Sequence, residues 1–250
     1  MARLRVRDHQ FDADLVVFDK DGTLIDFHTL WANRARTSVD SLIEHLSGDD
    51  NLRNALHEGI GYDSENHRTV TGGPVATIAI SKLMVVATMV LYQAGLDWEQ
   101  AESAVHASFG KTMKQPPGAD EIVPLGNVRA VIEKLTTNNV HVAIATTDDR
   151  DLTEAALQHL QIDQHFKLVK CGDDDGPLKP SPQVINDIAQ HFGVSNQRTA
   201  MVGDIPSDLT MARSANCGCL IGIRHGAGDN DALAAVAEIV IDSIDEIEVI

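Results

Sequence analysis

The sequence predicts an α/β protein, a parallel sheet with helices on both faces, interrupted by an inserted all-helical unit. Three observations carry that prediction. Short apolar runs rich in β-branched residues recur along the chain, helix-like stretches alternate with them, and the alternation fails over one block, residues 27–115.

The first run is residues 14–18, DLVVF, which reads as a buried strand delivering the acidic turn DKDGT to its carboxyl end. Similar runs follow at residues 140–145 (VHVAIA), 167–170 (KLVK), 199–202 (TAMV), 218–223 (GCLIGI) and 238–241 (EIVI). Helix-like stretches lie between them at residues 128–138, 150–160, 182–192 and 207–215. Strands joined through helices imply right-handed crossovers and a parallel sheet, whose ligands gather at the carboxyl ends of the strands. Within the block that breaks the rhythm, helices are expected at residues 30–46, 49–58, 74–94 and 98–113. The apolar segment around Leu83–Leu91 is read as core of that unit, with a dimer face as the alternative. The turn signal Gln115-Pro116-Pro117-Gly118 marks the return to alternation.

Lys and Arg total 20 against 37 Asp and Glu, a formal charge of −17. That surplus repels polyanions, so neither nucleic acid nor an anionic membrane surface is an expected partner. A small anion remains admissible, because one metal ion and one lysine reverse the sign locally. Three cysteines without a C-x-x-C spacing fit a reducing compartment better than a disulfide framework. The amino-terminal residues resemble no secretory signal, and the most apolar segment is too short for a bilayer. A cytoplasmic protein, monomer or homodimer, is expected.

Four strand ends carry chemistry. Asp19 and Asp21 of DKDGT place two carboxylates at one pocket, suited to nucleophilic attack and to acid–base work. A D-x-D-G turn also begins a calcium loop, but the following TLIDFHTLW lacks the remaining oxygen ligands. Thr146 ends the second strand, where its hydroxyl can donate to a phosphate oxygen; the plainer reading is a helix cap, for which Thr147 and Asp148 compete. Lys179 sits in a loop stiffened by prolines (GPLKPSP), placed to hold a phosphate or to be an ordinary surface lysine. Asp204 and Asp208 of GDIPSD offer hard oxygen ligands of the kind magnesium requires, although Ser207 or Asp208 could instead cap a helix.

In this order the residues DKDGT, a strand-end Thr, KPSP and GDIPSD resemble the haloacid dehalogenase-like hydrolase superfamily, nearest its phosphoglycolate phosphatase-like branch. The resemblance implies a Rossmann-like catalytic core of residues 1–26 and 116–250 and a helical cap domain of residues 27–115. It implies a phosphatase acting on a small phosphorylated metabolite, with Asp19 as nucleophile and Asp21 as general acid and base. Mg2+ would be held by Asp19, the Asp21 backbone carbonyl and Asp204, with Asp208 supporting that set directly or through water or Lys179. Phosphoryl oxygens would be bound by Thr146 and Lys179, with amides around Gly22, Thr23 and Thr147 assisting. The sequence departs from the family pattern at Thr147-Asp148-Asp149, where many relatives carry Asn and a basic residue, which predicts a more acidic rim. Cap residues considered for substrate contact are His28, Trp31, Arg34, Arg68 and the turn Thr71-Gly72-Gly73-Pro74. A phosphomutase of the same fold, or a non-catalytic phosphate- or metal-sensing protein, are the competing readings; a receiver domain is too short to match.

Overall fold

The structure, a computed structural model, describes residues 2–224 and 226–250. The chain opens with strands β1 (Ala2–Val6), β2 (His9–Ala13) and β3 (Leu15–Phe18). Helices α1 (Phe27–Leu46) and α2 (Asp50–Ile60), the short strands β4 (Tyr62–Asp63) and β5 (Arg68–Thr69), and helices α3 (Pro74–Thr77), α4 (Ile80–Gln93) and α5 (Trp98–Met113) come next. The remainder alternates as α6 (Val128–Thr137), β6 (His141–Ala145), α7 (Arg150–His159), β7 (Val169–Lys170), α8 (Gln183–Phe192) and β8 (Thr199–Gly203). It ends with α9 (Pro206–Ser214), β9 (Cys219–Ile223), α10 (Asn230–Val236), β10 (Ile239–Ile241) and β11 (Ile247–Val249).

Six strands form one parallel sheet in the order β10-β9-β8-β3-β6-β7. Chain order therefore runs outward in both directions from β3, and the reversal between β3 and β8 opens a crevice at the carboxyl ends. The register keeps those ends level, since Phe18 pairs with both Ile144 and Val202. Val16 and Phe18 pack on one face with Val128, Ile132 and Leu157, while Leu15 and Val17 pack on the other with Ile185, Ile188 and Leu209. A strand covered on both faces must be apolar at every position, which is why DLVVF is so legible.

Helices α1 to α5 enclose a separate apolar cluster. On α1 the buried Phe27, Leu30, Trp31, Ala35, Val39 and Leu42 recur at helical spacing. Asp26, Asp49 and Asp97 cap α1, α2 and α5 through their carboxylates. On α4, Leu83, Met84, Ala87 and Leu91 are buried as expected, whereas Val85, Met89 and Tyr92 face outward. The chain passes between the sheet and these helices twice, and the two passages lie side by side. Asp26 donates its amide to the Val123 carbonyl at 2.7 Å, and Leu125 donates to Leu24 at 2.9 Å. Buried Arg34 fastens the second passage, donating to the Met113 carbonyl at 3.1 Å and to the Glu121 carboxylate at 3.1 and 3.3 Å.

The six expected strands are present to within two residues at each end, and the helix over residues 98–113 matches in full. Three features differ. The helix expected over residues 74–94 is two helices, because Ile78 and Ala79 are extended and turn Ile78 inward. The inserted unit is not all helical, since β4 and β5 pair as a short antiparallel ribbon, Tyr62 opposite Thr69. β1, β2 and β11 form an unforeseen antiparallel sheet in which Leu4 and Val6 are fully buried. Among the described residues no helix is long and apolar enough to cross a membrane.

Candidate active site

The turn after β3 is shaped by its own backbone. The Lys20 carbonyl accepts from the amides of Leu24 at 2.8 Å and Ile25 at 3.2 Å, and Gly22 adopts φ +86°. An L-residue resists that conformation, and a Cβ at Gly22 would also collide with the Asp204 carboxylate. The glycine therefore admits Asp204, from the end of β8, to the side of Asp19. The Asp204 Oδ2 is fixed by the Ala227 amide at 2.6 Å.

Lys179 completes this group. Its Nζ donates to Asp19 Oδ1 at 2.7 Å and to the Ala145 carbonyl at 3.1 Å, and pairs with Asp208 Oδ1 at 2.7 Å. The Lys179–Pro180 peptide bond is cis. Asp208 lies in the first turn of α9, but its side chain turns to Lys179 instead of capping the helix, so the capping alternative does not hold. Each of Asp19, Asp204 and Asp208 offers a carboxylate oxygen within 4.8 Å of the others, and all three are buried.

Burial pushes the Asp19 carboxyl up to about 7, with Asp208 and Asp21 adding to the rise and Lys179 opposing it. Asp204 is driven well above the usual carboxylate range by burial and then by Asp19 and Asp208. Asp208 is also raised by burial, against the pull of Lys179. Burial pulls the Lys179 ammonium down, but Asp19 and Asp208 outweigh it and hold it above its ordinary value. Were all three carboxylates ionised together, their charge would exceed that of the one ammonium by two units. An all-oxygen donor set with that deficit fits a hard divalent cation.

A second buried group stands beside the first, and sequence reasoning missed it. Lys20 is 1% exposed; its Nζ donates to Asp21 Oδ1 at 2.6 Å and pairs with Asp148 Oδ2 at 2.9 Å. Asp148 is 4% exposed, so it neither caps α7 nor acidifies the rim as expected. Asp149 takes the cap position, without a side-chain capping bond. Burial raises the Asp148 carboxyl to about 6, with Lys20 opposing and Asp21 reinforcing. The sequence did hold the signal: a lysine two residues past a fully buried strand needs carboxylate partners, because an unpaired buried ammonium is costly.

Asp19, Asp21, Thr146, Thr147, Asp148, Lys179 and Asp204 all line one cavity of about 40 Å³, and at roughly 10–15 Å³ per water it has room for a few water molecules. The Thr146 hydroxyl accepts from the Asp148 amide at 3.1 Å, which leaves its hydrogen free to donate. Gly22 and Thr23 do not line the cavity; the Gly22 amide donates to Ile25 and the Thr23 hydroxyl is buried without a partner among the described residues. The roof comes from the helical unit: Phe27, Trp31, Val75, Ala76, Ile80 and Leu83 on helices, and Ile78 on the extended link between α3 and α4. Of the helical residues considered for substrate contact, only Trp31 is in this roof. His28 bonds Thr69 and Arg68, Arg34 is structural, and the turn of residues 71–74 lies outside the lining.

Known proteins resemble this chain over most of its length. The family model for haloacid dehalogenase-like hydrolases matches residues 13–216. The chain is 29% identical over 234 residues to a phosphoglycolate phosphatase of Chromobacterium violaceum, covering 93% of each. It is 22% identical over 241 residues to a phosphorylated carbohydrates phosphatase of Thermotoga maritima, covering 94% of this chain and 96% of the relative. The crystal structure of a predicted phosphoglycolate phosphatase from Haemophilus somnus superimposes with a TM-score of 0.64 at 20% identity, over 93% of this chain and 95% of that one. That likeness shows the fold, a doubly wound parallel sheet. With the family match spanning most of its length, this chain belongs to the haloacid dehalogenase-like hydrolases.

Proposed function

We propose that the protein is a magnesium-dependent phosphatase of small phosphate monoesters, phosphoglycolate-like or sugar phosphates, working through an aspartyl-phosphate on Asp19. The observation that carries this reading is the convergence of Asp19, Lys179, Asp204 and Asp208 at the mouth of three adjacent strands. Mg2+ would be held by Asp19, the Asp21 backbone, Asp204 and Asp208, where it would keep the Asp19 carboxylate ionised and screen the charge of the phosphate.

Asp19 forms the new bond to phosphorus as the ester oxygen departs, and Asp21 gives that oxygen its proton. The Asp21 carboxylate then takes a proton from a water whose oxygen attacks the phosphorus, releasing inorganic phosphate and restoring Asp19. Lys179 and the Thr146 hydroxyl hold the phosphoryl oxygens, with the Thr147 amide beside them. Residues 1–26 and 116–250 act as the catalytic core, and residues 27–115 as a cap that excludes water and selects the alcohol. The reading includes a cytoplasmic setting, consistent with three free cysteines, and a monomer or homodimer. The names of the two relatives support the substrate class.

The test is phosphate release from para-nitrophenyl phosphate and 2-phosphoglycolate with Mg2+. Asp19→Asn is expected to lower kcat by about a thousandfold or more, as removal of a nucleophile does. A variant with full turnover overturns the assignment.

A further inference from the structure

We propose that Lys20 and Asp148 are positioning residues that hold the proton-transferring carboxylate of Asp21, an inference resting on the phosphatase reading above. Lys20 occupies the place between the two reacting acids, yet its side chain turns away from Asp19 toward Asp21 and Asp148. Its ammonium engages Asp21 Oδ1 at 2.6 Å, which leaves Oδ2 as the oxygen to exchange a proton with the leaving group.

The anchor is fixed from behind. Asp148 Oδ1 accepts from the Asp149 amide at 2.8 Å, the Asp148 amide donates to Thr146 Oγ1 at 3.1 Å, and the Asp148 carbonyl accepts from the Gly172 amide at 2.7 Å. The strand end that bears Thr146 thus sets the height of Asp21, a residue on another strand end. Two nearly buried side chains leave the ammonium few alternative positions, and a proton donor misplaced by about 1 Å loses much of its effect. Asp148 lies in the one place where the chain departs from the family pattern it otherwise follows, the residues after Thr146.

The experiment is a series of phosphate monoesters from aryl to alkyl, measured on Lys20→Met, Asp148→Asn and the double variant. An alkoxide leaves poorly without a proton, whereas a nitrophenolate leaves unaided, so the two ends of the series report on Asp21 differently. In Lys20→Met and in the double variant, kcat/KM, which reports the step in which the ester oxygen leaves and not the later attack of water, is expected to fall tenfold or more for alkyl esters and by only a few fold for para-nitrophenyl phosphate. Should Lys20→Met fail to fold with Asp148 and Asp21 left facing each other, the double variant and Asp148→Asn carry the same measurement. An equal fall along the whole series, or wild-type rates on alkyl esters, overturns the positioning role. A wild-type enzyme that releases phosphate from no ester defeats the phosphatase reading itself.

Discussion

The floor and the roof of the cavity are built from opposite materials. The floor, at the ends of β3, β6 and β8 and in the loop before α8, carries five carboxylates, two lysines and two threonines. The roof, from α1, α3, α4 and the link between the last two, offers Phe27, Trp31, Val75, Ala76, Ile78, Ile80 and Leu83, with no charged side chain. The floor can bind a cation and move protons; the roof can only exclude water and shape the space. An apolar lid also lowers the local dielectric, which strengthens each ionic contact beneath it.

The largest expected effect lies in the floor. Mg2+ is expected to raise the melting temperature of the wild type, since a ligand bound only by the folded state stabilises it, and Asp204→Asn should abolish that rise and lower kcat by about a hundredfold or more. A variant that keeps the full magnesium-induced shift would remove Asp204 from the metal site. A smaller effect is expected in the roof. Ile78→Arg places a cation in an otherwise neutral surface and should raise the preference for 2-phosphoglycolate over a phosphate ester of an uncharged alcohol by about fivefold, the worth of one partly exposed ion pair near 1 kcal/mol. An unchanged ratio of kcat/KM values would mean that the alcohol does not meet this side of the cavity.

The pH dependence of stability separates the two regions again. Asp19 and Asp148 have carboxyls raised to about 7 and about 6, above their unfolded values, so the folded state holds protons that the unfolded chain has released. Stability of the metal-free protein must then fall as pH rises from about 4 to 7. Melting temperatures in chelator should accordingly rise on going from pH 7.5 to pH 5.5, and Mg2+ should flatten or reverse that slope. Carboxylates held low by arginines, such as Asp14 and Glu246, lose their contribution only at more acidic pH. A melting temperature independent of pH in chelator would show the floor to be neutralised in another way. The smallest effect belongs to the outer side of the roof: Val85→Ser, at a residue 54% exposed, should leave turnover unaltered and stability within about 0.5 kcal/mol in chemical denaturation.

The same contrast decides what the sequence could reveal. Floor residues follow apolar strands that are buried on both faces, and such runs announce themselves, as DLVVF and TAMV do. Asp19, Thr146, Lys179 and Asp204 were each legible as the residue just past a strand or within a proline-bound loop. Roof residues are ordinary helix-core residues in sequence, and nothing in the pattern separates Ile78 or Leu83 from their buried neighbours. Arg34 and His28 attracted notice because they are polar, yet they serve internal contacts. The sheet of β1, β2 and β11 escaped for a different reason. Its partners lie at opposite ends of the chain, and the charged residues Arg3, Arg5 and Arg7 alternate with so few apolar ones that the period of two is brief. Lys20 shows the converse, a charged residue that no apolar pattern marks although its place beside a buried strand end calls for carboxylate partners.

The two chain passages at residues 24–26 and 123–125 run beside each other and share hydrogen bonds. A body moored at one post has little freedom to slide; its natural displacement is a swing about that post. On the phosphatase reading proposed above, such a swing would lift the apolar roof from the charged floor like a shutter, while the bonds that define the sheet stay intact.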